Sequence, residues 1–249
     1  MKLNQQIFDL FRDRAQGTVV EQLCMGLGYT AVSTSDGGVG IAYTYFDAKT
    51  GCMMHEGYEN PEGKPAVCLL EKIFSDIPLQ RAMALATVNA LNFSFASDLP
   101  EERDNNCLVE EVGIGKGTHV AMVGLFKPLI RLFESRGAQV EVHDIGKGIG
   151  AKEGFYEKLN RWADVVIMTS TTLLNNTTEE ILSQVGEKVR TVLVGPGTPM
   201  IREAFRGLPV HFLAGMVPVD KGETFRAVRH GTGTPIIQKF GRKVLLKLK

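Results

Sequence analysis

The sequence predicts an α/β chain in two parts: a C-terminal Rossmann-like parallel sheet with helices on both faces, and a smaller N-terminal α+β domain. Three observations lead there. From Thr118 onward, short apolar runs alternate with helical patterns, which is the spacing of βαβ crossovers and so of parallel strands. Before residue 97 the strands come first and the helices after, an α+β order. Between these parts, Ser97 to Asn106 is polar and charged and reads as a linker, which puts the domains at 1–103 and 104–249.

In the first part, Ile7, Leu10, Phe11 and Arg14 fall near helical spacing, and Gly17 ends that helix. Thr18 to Phe46 reads as an antiparallel meander, with Ser35-Asp36-Gly37-Gly38 as the turn into a return strand from Val39. Residues 47–64 are rich in Gly, Asn, Asp and Pro and read as loop. Two helices follow, Pro65 to Phe74 and Pro78 to Phe93. Pro78 suits a first turn, and the Ala-rich face of the second helix suits close packing.

In the second part, a short helix near Cys107 to Val112 precedes the first strand, Thr118 to Gly124. Lys127 to Arg136 is helical, with Gly137 beyond its end. Further strands are expected at Gln139–Ile145, Ala163–Ser170, Val189–Gly195, Val210–Gly215 and Lys243–Leu248. Helices are expected at Phe155–Trp162, Thr178–Val185, Met200–Phe205 and Gly222–Arg229. Thr177 with Glu180 has the spacing of a capping box.

The chain has 249 residues, 44% of them hydrophobic and 22% charged, which is ordinary for a globular protein. Lys and Arg together number 28, as do Asp and Glu, so no net charge draws the chain to nucleic acid or an anionic membrane. No apolar run approaches the roughly 18 residues of a membrane span. The start lacks the pattern of a signal peptide, and the expected location is cytoplasmic. Cys24, Cys52, Cys68 and Cys107 are scattered, without a CxxC pair, and read as reduced thiols rather than disulfides or a zinc site.

In open α/β sheets, ligands bind beyond the carboxyl ends of the strands, where the strand order reverses. With an order of 3-2-1-4-5, the loops after the first and fourth strands would be neighbours there. These loops are Gly124-Leu125-Phe126 and Gly195-Pro196-Gly197-Thr198, and both let backbone approach a ligand and lead into helix N-termini; the plainer reading is a pair of tight turns. Neither GxGxxG nor GxxxxGK[ST] is in place, but Asp144 ends the second strand 20 residues after Gly124, where a dinucleotide fold puts its ribose-binding carboxylate. The alternative for Asp144 is a solvent-facing turn residue. Thr169 to Thr178 packs hydroxyls and amides after a buried strand, among them Thr171, Asn175, Asn176 and Thr177, more than helix capping needs. His55, His119, His143, His211 and His230 show no ligand spacing, so no metal site is assigned. Without a GxSxG elbow, an HExxH motif or an evident nucleophile, no reaction follows, and enzyme and binding protein both stay open.

The run Ala163 to Thr177, the run Val194 to Met200 and Val123-Gly124-Leu125-Phe126-Lys127-Pro128-Leu129 resemble a family named for "putative heavy-metal chelation". Leu27 to Ala31, Gly38 to Tyr43 and Ala86 to Leu91 are similar to that family's companion domain. The resemblance covers nearly the whole chain. It implies a domain like the N-terminal domain of enolase joined to the Rossmann-like domain, with a site in the cleft between them that Asp36, Gly38 and Asn89 would face. The enolase likeness carries no enolase chemistry, because the barrel is missing.

The leading expectation is a protein that binds a small molecule in an interdomain cleft and acts in heavy-metal chelation or chelator biosynthesis. Its cofactor is unassigned, its partner is a small-molecule ligand such as a metal chelator, and self-association would suit the fold. The rivals are an enzyme using S-adenosylmethionine or a nucleotide, a direct metal-binding or sensor protein, and an oligomeric scaffold.

Overall fold

The spacing Leu3, Ile7, Phe11, Ala15 repeats every four residues, which lines up one buried face along the first helix, α1 (Lys2–Gly17). The structure is a computed structural model and describes residues 2–46 and 59–249. Cys52, His55 and residues 47–58 of the loop expected over 47–64 lie outside the described residues.

After α1 come β1 (Val20–Met25), β2 (Tyr29–Thr34) and β3 (Val39–Tyr43), an antiparallel sheet in the order β1-β2-β3. The expected turn at Ser35 to Gly38 joins β2 to β3, with Gly37 at φ +83°. All six residues of β2 are buried. Val32 packs toward α1 and the helix α3 described next, whereas Tyr29 and Ala31 pack against Met216, Phe225 and Val228 of the second half. The small sheet is therefore covered on both faces.

The helix expected over Pro65–Phe74 forms in two pieces, α2 (Val67–Leu70) and a 3₁₀ turn over Glu71–Phe74. Next is α3 (Pro78–Leu91), with Pro78 in its first turn as expected. The segment read as linker begins inside a helix, α4 (Phe93–Asp98), and continues along the last strand: Glu101 bridges to Val244, and the Glu102 N–H donates to the Lys243 carbonyl at 2.9 Å. α5 (Asn106–Val112) follows.

The second half runs β4 (His119–Val123), α6 (Lys127–Ser135), β5 (Gln139–His143), α7 (Lys152–Arg161), β6 (Val165–Thr169), α8 (Thr178–Leu182), β7 (Arg190–Val194), β8 (Phe212–Pro218), α9 (Lys221–Arg229), α10 (Thr234–Ile237) and β9 (Gly241–Lys247). The sheet order is β5-β4-β6-β7-β8-β9, parallel except for antiparallel β9. Counted within this half the order is 2-1-3-4-5-6, which replaces the anticipated 3-2-1-4-5 and moves the reversal point to the gap between β4 and β6. Two local expectations also change. The β7–β8 connection carries only a 3₁₀ turn at Glu203–Phe205 instead of a helix from Met200. The Thr177 hydroxyl does not cap α8: Thr177 has near-helical backbone angles (φ −99°, ψ −4°) rather than the extended ones of a capping residue, and its hydroxyl donates to Asn175 Oδ1 at 2.7 Å.

α5 and α6 cover one face of the large sheet, packing Leu108, Leu129 and Phe133 on Val120, Met122 and Ile167. On the other face, α7 and α8 share one continuous core with α1 and α3, from Leu3 and Ile7 through Leu85 to Val166 and Met168.

Candidate functional site

The reversal point brings together the ends of β4 and β6. Gly124 leaves β4 at φ +91°, and a Cβ there would lie 3.1 Å from Thr169 Cβ, so the two loops touch. One strand further, Gly195 leaves β7 at φ +148°, and a Cβ there would lie 2.6 Å from Ser170 Oγ. Both positions need glycine, for backbone conformation and for room. Gly124 thus borders Thr169, and the next residue, Ser170, borders Gly195. α6 starts immediately beyond Phe126 and turns its N-terminal end toward this crevice.

Asp144 is largely occupied by the protein itself. Its Oδ2 accepts from the Leu125 N–H (3.0 Å) and Lys147 Nζ (3.3 Å), and its Oδ1 accepts from the Lys147 N–H (3.2 Å). A carboxylate offers about four acceptor positions, so about one is left. Beside it, His143 is buried and stacks on Phe155 with ring centroids 5.1 Å apart. Its Nδ1 faces the Gly150 carbonyl at 3.1 Å; a carbonyl only accepts, so this nitrogen donates, and Nε2 is buried without a partner.

The hydroxyl-rich loop is mostly bonded within itself. Thr169 Oγ1 donates to Thr171 Oγ1 and accepts the Thr171 N–H, Thr178 Oγ1 donates to Thr172 Oγ1, and Asn175 Oδ1 accepts from both the N–H and the hydroxyl of Thr177. Asn176, at φ +60°, accepts from the buried Asn4 of α1 at 3.3 Å. Ser170 differs, since its hydroxyl makes no hydrogen bond among the described residues although the residue is only 6% exposed. Sequence reasoning placed Ser170 in the loop without singling it out; the signal was its position one residue past the strand.

The first half reaches this edge through α3 and β3. Asn89 Nδ2 donates to the carbonyls of Ile41 (2.8 Å) and Gly197 (3.0 Å), and Asn92 Nδ2 donates to Met200 (2.8 Å). Arg81 Nε donates to the Leu174 carbonyl. A Cβ at Gly197 would lie 2.9 Å from Ala42 Cα, so β3 lies directly on the β7 loop. Along this seam the halves are packed together, leaving about 10 Å³ of open space beside Asn89 and Thr198. That is room for about one water, and the buried, unpartnered Thr198 hydroxyl lies at it. Asp36 and Gly38 sit at the β2–β3 turn instead, and their contacts are with α1, α3 and the end of β2. Asp36 Oδ2 accepts from Arg14 (2.8 Å), its Oδ1 from Thr34 (2.7 Å), and Gly38 packs on the Ala90 carbonyl. Burial pushes the Asp36 carboxyl up, but the bonds from Arg14, Thr34 and the Gly38 N–H outweigh it and hold it below the usual carboxylate range.

A wide groove of about 850 Å³ opens at the opposite edge, among Thr118, Asp164, Glu187, Lys188 and Arg190. It lies at the amino ends of the strands, where open parallel sheets do not bind ligands, and its charges are of both signs. The carboxyl edge is the better candidate.

The model of the DUF364 family, described as "Putative heavy-metal chelation", matches residues 107–247, more than half of the chain. The chain belongs to the DUF364 family. A second model with the same description, DUF4213, matches residues 8–92. Two solved DUF364 proteins of unknown function share the fold. One, from Pyrococcus horikoshii, superposes with a TM-score of 0.80 at 18% identity and covers 98% of this chain and 99% of its own. The other, from Desulfitobacterium hafniense, has a TM-score of 0.74 at 22% identity and covers 98% of both chains. No curated protein matches the chain. The DUF364 description implies a metal, but the carboxyl edge does not fit one. Among the described residues no three His, Cys, Asp or Glu side chains converge to hold a cation, and Asp144 is already engaged. No described helix is long and apolar enough to cross a membrane.

Proposed function

We propose that this DUF364 chain binds a small polar organic molecule, of the kind that chelates metals, at the carboxyl edge between β4, β6 and β7. Residues 104–249 supply the site and residues 1–103 brace it. The observation that carries this reading is the Ser170 hydroxyl: it makes no hydrogen bond among the described residues and lies against Gly195, one residue past the Thr169 that Gly124 faces, beside the point where the strand order reverses. Gly124, Leu125 and Phe126 form one wall and Gly195, Gly197 and Thr198 the other. Thr171, Asn175, Asn176 and Thr177 hold the loop that carries Ser170. Asp144 fixes the Leu125 amide and keeps about one acceptor position for a ligand hydroxyl or amine.

The test is a thermal-shift panel of chelators, amino acids, divalent metals, nucleotides and S-adenosylmethionine. A ligand at a hundred times its dissociation constant adds about 2.7 kcal/mol of apparent stability. A shift with chelators or amino acids that Ser170→Ala weakens about tenfold supports the reading, since one lost hydrogen bond is worth roughly that factor. A shift with an adenosine compound that needs Asp144 moves the assignment to a cofactor-dependent enzyme. Shifts that ignore both residues overturn the site.

A further inference from the structure

Asp144 holds its lysine loosely. Among the described residues, Nζ lies 2.6 Å from the carboxylate in Lys64–Glu59, Lys152–Glu180 and Lys158–Glu141, and 2.7 Å in Lys221–Glu21 and Lys247–Glu111. Lys147 Nζ stands 3.3 Å from Asp144 Oδ2, beyond the roughly 2.7–2.9 Å of a charge-assisted bond. Yet this carboxylate has the most to gain from a close cation. Its side chain is 15% exposed, the least of any ion-paired carboxylate among the described residues, and the lysine is 54% exposed. The turn that carries Lys147 does not depend on its ammonium either. Asp144 and Ile149 exchange both backbone hydrogen bonds, at 2.9 and 3.0 Å, and the Lys147 N–H closes the turn on Asp144 Oδ1 at 3.2 Å. The Leu125 N–H, at 3.0 Å from Oδ2, fixes the carboxylate against the wall of the carboxyl-edge site. The backbone thus sets the carboxylate in place and leaves the ammonium replaceable.

We propose that Lys147 stands in for the ammonium group of a ligand, so that the carboxyl-edge site takes cationic amines and Lys147 sets its selectivity for them; this rests on the reading of that site given above. The ligand ammonium takes the Lys147 position at Asp144 Oδ2 and donates its hydrogen bonds there, and the lysine side chain turns out into solvent. The two cations compete, because like charges at one oxygen repel. A neutral hydroxyl behaves differently. It uses the acceptor position that Asp144 keeps and leaves Lys147 where it is. Lys147 therefore lowers the affinity for an amine and leaves that for the matching alcohol unaltered.

The experiment is an NMR titration of the full chain with matched probes, glycinamide against glycolamide and putrescine against butanediol. In the native protein the amines bind more tightly than the alcohols, and only the amines move the Lys147 Cε resonance toward that of a solvated lysine. Lys147→Met, which keeps every backbone bond of the turn, tightens the amines by about two- to fivefold, the factor to which a weak exposed ion pair converts, and leaves the alcohols unchanged. Asp144→Asn weakens the amines by more than about tenfold. Should that variant misfold, the native titration and Lys147→Met still decide the matter. The proposal is overturned if amines and alcohols bind alike, if neither binds, or if Lys147→Met leaves the amines unchanged or weakens them. The carboxyl-edge site has its own test in Ser170→Ala: an effect of Ser170→Ala with none of Lys147→Met keeps that site and removes the role of the lysine.

Discussion

Gly195 and Ser170 test one another. A methyl at Gly195 lies 2.6 Å from Ser170 Oγ and must also sit at φ +148°, so Gly195→Ala costs about 1–3 kcal/mol. Ser170→Ala removes the contacting oxygen. The double variant therefore recovers the steric part, and denaturant titration of the four-member cycle gives a coupling that additive, independent sites would lack. His211 makes a second case. Its Nδ1 accepts the Thr191 N–H at 3.0 Å, which requires the neutral ring. Burial, then Lys249 and Arg190, hold its pKa below the ordinary 6.5. The unfolded chain then takes up the proton first, so this stability is present above about pH 6.5 and is lost as pH falls from there through the folded value. The melting temperature should drop over that window, and His211→Asn should flatten the drop; an equal slope in the variant would remove His211 as its cause.

At the scale of elements, α3 is the brace. Asn89→Ala leaves the Ile41 and Gly197 carbonyls without their shared donor, and denaturation should show a loss of about 1–3 kcal/mol; a neutral change would remove Asn89 as the brace. The elements themselves were largely legible. Runs such as Val165 to Met168 are apolar throughout because their strands are buried on both faces, and Pro78 marks the start of α3. The failures share one physical cause, competition decided outside the local pattern. Ser97 and Asp98 look like linker, but they complete α4, and Arg242 of β9 holds the Ser97 and Leu99 carbonyls. Thr177 and Glu180 have capping spacing, yet the loop before α8 sets Thr177 at near-helical angles, where its hydroxyl does not reach the first-turn N–H groups. Strand order was not readable, because nothing in a crossover's own residues says on which side of β4 it returns. The glycine turns of the site could be read, whereas the unpartnered Ser170 hydroxyl needed the packed loop around it.

For the whole molecule, the decisive fact is that one core joins the two halves. Leu3, Ile7 and Leu85 belong to the same cluster as Val166, Met168 and Leu193. Calorimetry should therefore give one cooperative transition, with calorimetric and van't Hoff enthalpies in agreement. Residues 104–249 made alone should expose that apolar sheet face and aggregate or bind a hydrophobic dye, whereas a well-dispersed NMR spectrum from that fragment would show that the halves fold separately. The brace has a further consequence for how such a protein can change over time. Asn89, Asn92 and Arg81 grip main-chain oxygens, those of Gly197, Met200 and Leu174, and any amino acid placed there would offer the same oxygen. Docking of the two halves is thus indifferent to much of the side-chain vocabulary of the loops it supports. Where no tight contact forbids it, those loops can be rewritten for a new ligand while the architecture stays as it is.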